Sequence, residues 1–223
     1  LNSKSGGGKT ILDNFVSFLT QNTLDDLFFI LVPNRETYQD LAGEKVFIVD
    51  IPKLYKQLIF VPWRYRVVLP RLISSLEIDL IFNLSDVPIP TNYAKQIFLL
   101  DWPYAVYPES NVWSRMDTWS WLQRKLKLYF FKKYLCYISH TIVQSQTMRR
   151  RFESIYGVNN IQVIPGAASQ KLLTALQAEH NFDLPNGVKL LYPCTYVPHN
   201  NLEVLLSVAS EIKMRCLQYR LIL

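Results

Sequence analysis

The stretch that decides the fold begins at residue 27 and reads Leu27-Phe28-Phe29-Ile30-Leu31-Val32-Pro33-Asn34. Consecutive apolar residues without alternation are typical of a β-strand that is buried on both faces. The pair Pro33-Asn34 favours a turn and closes the run. Strands of this kind occur in parallel sheets that are covered by helices, so the stretch predicts an α/β fold.

The same strand signal recurs along the chain, with helical patterns between the runs. Further strands are predicted at Val46–Val49, Leu80–Phe82, Ile97–Leu100, Thr141–Val143 and Ile161–Ile164. Helices are predicted from Lys9 through an apolar stripe ending at Leu19, from about Arg64 to Leu76, as one or two helices over Val112–Tyr137, and over Thr147–Tyr156 with Gly157 as C-cap. Alternating strands and helices predict a Rossmann-like parallel sheet with helices on both faces.

A second unit is predicted after Pro165-Gly166, where the composition changes. A polar stretch precedes a new strand at Lys189–Tyr192, a helix at Asn201–Lys213 and a strand at Tyr219–Leu223. We therefore predict a first domain at residues 1–168, a linker at 169–187 and the first βαβ unit of a second Rossmann-like domain at 188–223. One βαβ unit cannot bury both faces of a sheet, so we expect the second domain to be incomplete.

Charge and cysteine content narrow the classes of partner. The formal net charge is +6, which favours anionic partners such as phosphates, nucleotides, acidic lipid surfaces or nucleic acid. The cysteines Cys136, Cys194 and Cys216 are widely spaced, which argues against a disulfide framework or a zinc site and favours a reducing compartment. We expect no metal site, and no stretch approaches the roughly 20 apolar residues that span a bilayer.

A glycine-rich turn, Gly6-Gly7-Gly8-Lys9-Thr10, precedes the first predicted helix. Such a turn exposes backbone N–H groups at the positive end of a helix dipole, which suits an anion or a sugar. A P-loop would require glycine where Ser3 stands, so that match is partial. A P-loop-type nucleotide-binding protein remains an alternative, as does a plain tight turn.

Several patches, taken in order, resemble the family 4 glycosyltransferases, which have the GT-B fold. They are the Ser5–Lys9 turn with its helix, the stretch Phe98-Leu99-Leu100-Asp101-Trp102-Pro103-Tyr104, Thr141–Gln146 leading into Arg149–Phe152, Ile161–Gly166, and Leu190–Pro193 through Pro198–Glu203. The resemblance covers almost the whole chain and implies two Rossmann-like domains around a cleft. It identifies residues 1–168 as the acceptor-side domain and residues 188–223 as the beginning of the donor-side domain.

The resemblance also implies the reaction and the residues that serve it. A sugar would pass, with retention and without a metal or other cofactor, from a nucleotide-diphosphate-sugar donor to a saccharide or lipid-linked acceptor. The implied acceptor-binding residues are Gly6, Gly7, Gly8, Lys9, Thr10, Gln144 and Ser145. The implied donor-binding residues are His199, Asn200 and Asn201, and Asp101 takes the catalytic position.

Two departures from the family keep alternatives open. Many relatives have a histidine where Asp101 stands, and an aspartate there could bind sugar hydroxyls, orient an acceptor or simply cap the next turn. Thr195 and Asn200 stand where many relatives carry Arg and Lys for the donor diphosphate. A non-catalytic module that binds sugars or a membrane surface is therefore an alternative. We expect this chain to be inactive on its own, because the rest of the donor domain is missing.

The segment from Arg115 to Lys133 mixes cations with the aromatic residues Trp113, Trp119, Trp121, Tyr129, Phe130 and Phe131. Such a helix can lie on an anionic membrane, or its aromatic side chains can pack on the sheet while its lysines are solvated. No nucleic-acid-binding module surrounds the charge, so we expect no nucleic-acid partner. We expect a cytoplasmic protein, with peripheral contact at the inner membrane face left open.

Overall fold

A computed structural model describes residues 7–21, 25–32, 35–51, 60–166, 188–192, 202–217 and 219–222. The chain divides into two compact units. The first contains residues 1–108 and 124–177, and the second contains residues 109–123 and 178–223. The domain boundaries expected from the sequence remain predictions, and the expected linker at residues 169–187 lies outside the described residues.

The strands of the first unit all pair in parallel, as the apolar runs predict. Strands β1 (Phe28–Val32) and β2 (Val46–Asp50) form a two-stranded sheet. A four-stranded sheet has the order β3-β4-β5-β6, with β3 at Leu80–Asn83, β4 at Lys95–Leu100, β5 at His140–Val143 and β6 at Ile161–Val163. The predicted α/β class with parallel sheets is confirmed, and each predicted strand lies within about two residues of an observed one.

Helices connect these strands. They are α1 (Gly7–Gln21), α2 (residues 61–75), α3 (Thr118–Tyr134) and α4 (Gln146–Tyr156), with short 3₁₀ segments at Arg35–Leu41, Pro103–Ala105, Asn111–Arg115 and Leu135–Tyr137. α4 ends at Gly157, whose φ of 66° confirms the predicted left-handed C-cap. α1 begins at Gly7 rather than after the glycine run, so Gly7 and Gly8 belong to its first turn. The helical patterns at α1 to α4 are confirmed.

Helix α2 contains a π-helical turn at Arg64–Val68, between α-helical segments at Val61–Trp63 and Leu69–Ser75. The N–H of Leu69 donates to the carbonyl of Arg64, five residues back. Pro70 follows at once and has no N–H to donate to the carbonyl of Arg66. The widened turn accommodates the proline ring without ending the helix.

Among the clusters of buried apolar side chains that the described residues form, two pack against strands of the first unit. The first core is formed by α1, β1 and β2 and contains Leu12, Val16, Val32, Tyr38, Val46 and Ile48. The second contains Tyr65, Leu69 and Ile73 of α2, Val87, Ile89 and Tyr134, with Leu31 and Ile81 packed against it. Because successive side chains of a strand point to opposite faces, Val32 and its neighbour Leu31 reach different cores. The ring of Phe15 on α1 also stacks on Phe82 of β3, so α1 covers strands of both sheets.

The second unit contains another parallel pair. Strand β7 (Val188–Leu191) lies beside β8 (Tyr219–Ile222), and helix α5 (Val204–Met214) connects them in the chain. The predicted strand–helix–strand order is confirmed. No helix in the described ranges has the length and apolar character needed to cross a membrane.

Candidate functional site

The carboxyl ends of β4, β5 and β6 place polar residues side by side. Leu100 of β4 is paired in register with Val143 of β5, and Asp101 and Gln144 are the next residues of the two chains. Asp101 and Gln144 therefore leave the sheet from neighbouring positions of its carboxyl edge. The N–H of Ile164 donates to the carbonyl of Val143 at 2.9 Å, which brings the end of β6 to the same edge. We call Asp86, Asp101, Lys127 and Gln144 the carboxyl-edge cluster.

Within this cluster, the carboxyl group of Asp101 has a pKa above its ordinary value. Although the residue is exposed at the surface, packing around its carboxyl group desolvates it in part, and this burial raises the pKa. The negative charge of Asp86 raises the pKa of Asp101 further, which shows that the two carboxylates lie near each other. Lys127 of α3 donates to Asp86 Oδ2 at 2.5 Å, an ion pair that is partly exposed on both sides. The edge thus combines two carboxylates and an ammonium group.

A buried amide pair fixes the loop that carries Asp86. Gln96 of β4 is fully buried, and its Oε1 accepts hydrogen bonds from Asn83 Nδ2 at 2.8 Å and from the N–H of Ile89 at 2.9 Å. Gln96 Nε2 donates to the carbonyls of Ile89 at 3.3 Å and Tyr137 at 3.2 Å. Buried amides with satisfied partners hold their surroundings in one arrangement. The loop at residues 84–89 is therefore held against β4.

Asn83 binds the same loop from its other end. Its Oδ1 accepts hydrogen bonds from the N–H of Ser85 at 2.8 Å and from Ser85 Oγ at 2.7 Å. Its Nδ2 also donates to the carbonyl of Val87 at 3.1 Å. Asp86 lies between these two anchored residues, so its backbone position is defined.

The loop that carries Asp101 is anchored by α4. Arg151 Nε donates to the carbonyl of Val106 at 2.7 Å, and its guanidinium lies over the ring of Tyr107 at 4.3 Å. Tyr156 Oη donates to the carbonyl of Ala105 at 2.7 Å, and burial raises the pKa of Tyr156 to about 12. Both acceptor residues are almost fully buried, so α4 satisfies carbonyls that water cannot reach.

Aromatic side chains complete this loop. Trp102 and Tyr104 are buried, with ring centroids 5.7 Å apart. The guanidinium of Arg124 on α3 lies over the Tyr104 ring at 5.1 Å. The stretch that follows Asp101 is therefore a packed structural element, and Asp101 is the residue at its exposed beginning.

The predicted site residues are distributed as follows. Gln144 is half-buried at the edge beside Asp101. Ser145 is exposed and caps α4, because its Oγ accepts a hydrogen bond from the N–H of Met148 at 3.2 Å. Gly7, Gly8, Lys9 and Thr10 form the first turn of α1, where helix N–H groups lack intrahelical partners. That this turn shares a site with Asp101 and Gln144 remains a prediction. Gly6, His199, Asn200, Asn201 and Thr195 lie outside the described residues.

The sequence had not identified Asp86 and Lys127 as members of the site. They are 41 residues apart in the sequence, and only the fold brings the Lys127 ammonium group to the Asp86 carboxylate. A signal for Asp86 was present, since it lies in the loop four residues after the predicted strand Leu80–Phe82, at the carboxyl end of that strand. No sequence signal distinguishes Lys127 from the other lysines of its helix.

Two grooves lie away from this edge. One of about 620 Å³ is lined by Asp79, Thr91, Tyr93, Lys95, Cys136 and Tyr137, at the amino ends of β3 and β4. The other, of about 450 Å³, lies beside α2. We place the candidate site at the carboxyl edge because the clustered carboxylates and the raised pKa of Asp101 are there. Ligands of open α/β sheets bind at that end of the strands.

The described residues contain no group of three or more His, Cys, Asp or Glu side chains that could hold a metal ion. No protein-family model and no curated protein sequence matches the chain. A functional assignment therefore depends on the residues of the carboxyl-edge cluster and on their chemistry.

Proposed function

We propose that the protein is a glycosyltransferase that takes a sugar from a nucleotide-diphosphate-sugar donor and binds its acceptor at the carboxyl-edge cluster. The observation that carries the proposal is the position of Asp101 and Gln144 directly after Leu100 and Val143, which pair in adjacent parallel strands, together with a second carboxylate whose charge acts on Asp101. Carboxylates and amides are the side chains that suit sugar hydroxyls, because they accept and donate hydrogen bonds in fixed directions.

Asp101 would accept a hydrogen bond from the attacking hydroxyl of the acceptor and orient it. A raised pKa makes a carboxylate a stronger base, which strengthens its hold on a hydroxyl proton. Gln144 would bind a neighbouring hydroxyl, since its half-buried amide offers both a donor and an acceptor. Lys127 would hold Asp86 in place and offset part of the negative charge at the edge.

The family resemblance supports the remaining assignments in this proposal. The two-domain GT-B arrangement, retention of configuration and a reaction without a metal follow from the resemblance. So do the donor contacts of His199, Asn200 and Asn201 and the acceptor contacts of Gly6, Gly7, Gly8, Lys9 and Thr10. Ser145 has a structural role as the cap of α4, and a contact of its hydroxyl with an acceptor would be additional to that role. A cytoplasmic location is part of the same proposal.

The test measures release of nucleoside diphosphate by the product of the complete reading frame that encodes this chain. The donors are uridine-, guanosine- and adenosine-diphosphate sugars, each with and without simple saccharides and a lipid-linked saccharide. We expect release with one donor that increases when an acceptor is added, and loss of that increase in Asp101→Asn. Asp79→Asn is the matched control, because Asp79 is an exposed carboxylate at the opposite ends of the strands.

Two other results would contradict the proposal. Magnesium-dependent ATP binding that is lost in Lys9→Ala would favour the P-loop alternative. Saccharide binding without transfer from any donor would favour a non-catalytic sugar-binding module.

A further inference from the structure

Two helices carry an unusual share of the positive charge. The ranges 61–75 (α2) and 118–134 (α3) contain eight of the 24 Lys and Arg residues and none of the 18 Asp and Glu residues. The rest of the chain has 16 cationic against 18 acidic side chains, a formal charge of −2. The net positive charge of the protein therefore originates in these two helices.

The two helices pack by their inner faces onto the same core. Tyr65 and Leu69 of α2 and Tyr134 of α3 belong to the second core described above. Burial raises the pKa of Tyr134, and the charge of Arg66 on α2 acts against this rise, so Arg66 lies near α3. Inner side chains of α2 and of the second half of α3 thus meet in one core.

The outward residues of these two helices are cations and aromatic rings. Arg66, Arg71, Lys132 and Lys133 are exposed. Trp63 is 54% exposed and Tyr129 is 56% exposed, and Lys133 lies over the Tyr129 ring at 5.8 Å. Within the described residues no carboxylate forms an ion pair with Arg66, Arg71 or Lys132. We call Trp63, Arg66, Arg71, Tyr129, Lys132 and Lys133 the basic helical face.

A groove of about 450 Å³ adjoins this face. It is lined by Arg66, Val67, Pro70, Arg71, Ser74 and Tyr93, and Tyr93 is 71% exposed. Two guanidinium groups and a serine hydroxyl are donors that suit a phosphate group, and arginine binds phosphate oxygens in pairs. The groove is therefore complementary to a phosphate-bearing headgroup.

We propose that the basic helical face docks the protein on an anionic phospholipid bilayer, with Trp63 and Tyr129 at the headgroup level and Arg66 and Arg71 on lipid phosphates. Trp and Tyr favour the membrane interface because their rings are apolar at one end and polar at the other. Arg and Lys near an anionic bilayer each strengthen binding. This docking does not depend on sugar transfer, since it requires neither a donor nor an acceptor.

We assign the partner of the basic helical face from the charge of this face and from the types of its side chains together. Nucleic acid would also be attracted to the charge, but its recognition uses a helix or strand that enters a groove, or rings on which bases stack in order. Here the exposed rings are set among the cations of two helices that contribute to one core, which suits a broad charged surface. Nucleic-acid binding is therefore an outcome that the experiment must separate from bilayer binding.

The experiment measures sedimentation of the 223-residue chain with vesicles of phosphatidylcholine alone and with about 30% phosphatidylglycerol. We expect binding only to the anionic vesicles, and a fall of about 30-fold in affinity for Arg66→Gln/Arg71→Gln, which is about fivefold for each charge. Lys189→Gln/Lys213→Gln removes the same charge from exposed positions elsewhere and should lower affinity by less than about twofold. Trp63→Ala should also weaken binding to the anionic vesicles. A lower salt concentration should not restore this binding, because the contact of Trp63 with the bilayer is apolar.

Two further measurements keep the result decisive. Arg66→Lys/Arg71→Lys retains the charge and should retain most of the binding, and circular dichroism checks that every variant is folded. Equal loss in the two charge-removing pairs would overturn the assignment of this face. Binding to a duplex oligonucleotide at matched phosphate concentration, without binding to anionic vesicles, would overturn the assignment of the partner.

Discussion

The carboxyl-edge cluster and the basic helical face are both polar surfaces of the first unit, but they are constructed differently. At the edge, carboxylates, an amide and one ammonium group are held by loops that buried hydrogen bonds anchor. On the helical face, cations project from two helices that contain no carboxylate. The edge therefore holds individual polar atoms at defined positions, whereas the basic helical face contributes the combined charge of its cations.

This difference has a consequence for substitutions. A surface that acts through summed charge tolerates exchange of one cation for another, as in Arg66→Lys/Arg71→Lys. A site that acts through position is sensitive to its supports, including residues that contact no ligand. The predictions below separate the two kinds of surface, from the largest expected effect to the smallest.

The largest effect is expected from the buried support of the edge. Gln96→Met keeps the side-chain volume but leaves buried groups of Ile89, Tyr137 and Asn83 without their partner, so the free energy of unfolding should fall by about 3–5 kcal/mol. Urea unfolding measures this change, and Gln162→Met at an exposed strand position is the matched control. An equal, small effect of both substitutions would contradict the supporting role of Gln96.

Asp101→Asn should lower acceptor-dependent turnover by about 100-fold while leaving the fold intact. Burial raises the pKa of Asp101, so the folded chain binds this proton more tightly than the unfolded chain does. Stability from this group therefore falls as pH rises from about 4 through the raised pKa. The melting temperature of Asp101→Asn at pH 7 should equal or exceed that of the wild type, and the difference should vanish near pH 3.

The turnover and the melting temperature of Asp101→Asn together distinguish a residue that binds the acceptor from a residue that only caps a turn. If Asp101 only capped the turn that follows it, the substitution would lower the melting temperature at pH 7 and leave turnover unchanged.

Tyr156→Phe tests the anchor of the Asp101 loop. Loss of the hydroxyl leaves the buried carbonyl of Ala105 without its donor, so the free energy of unfolding should fall by about 1–2 kcal/mol. The KM for the acceptor should also rise, because the loop that Tyr156 anchors begins at Asp101. Tyr93→Phe, at an exposed tyrosine, should change neither the free energy of unfolding nor the KM. An unchanged KM in Tyr156→Phe would show that the hydrogen bond of Tyr156 does not affect acceptor binding.

The smallest effect is expected at the cap of α4. Ser145→Ala removes the acceptor for the N–H of Met148 and should lower the free energy of unfolding by about 1 kcal/mol. Ser145→Asp should restore stability, since aspartate caps helices as well as serine does. A stable Ser145→Asp variant with a raised KM would show that this hydroxyl also contacts the acceptor, and a normal KM would limit Ser145 to capping.

The sequence predicted the elements of the fold well, because their signals are local. The run from Leu27 to Val32, the stripe from Ile11 to Leu19 and Gly157 after α4 all describe neighbours in the chain. The 3₁₀ helix at Arg35–Leu41 was missed, since its polar sequence has no apolar period. The division into a two-stranded and a four-stranded sheet depends on pairing between distant strands, about which apolar runs carry no information.

The site was predictable only in part, for the same reason. Asp101 and Gln144 follow apolar runs directly, and their place at strand ends could be inferred. Lys127 reaches Asp86 only through the packing of α3, and Gln96 gives no sign in the sequence that it is fully buried. The cap made by Ser145 has a local signal, a serine directly before a helical pattern, but the residue was first assigned to acceptor binding.

The most direct test of the central claim is amide chemical-shift mapping of the isotope-labelled 223-residue chain during titration with simple saccharides. We expect concentration-dependent shifts at Asp86, Asp101 and Gln144 and their loop neighbours, with the basic helical face unchanged, and loss of these shifts in Asp101→Asn. Saccharide-dependent shifts that cluster elsewhere and leave the ends of β4 and β5 unperturbed would contradict it.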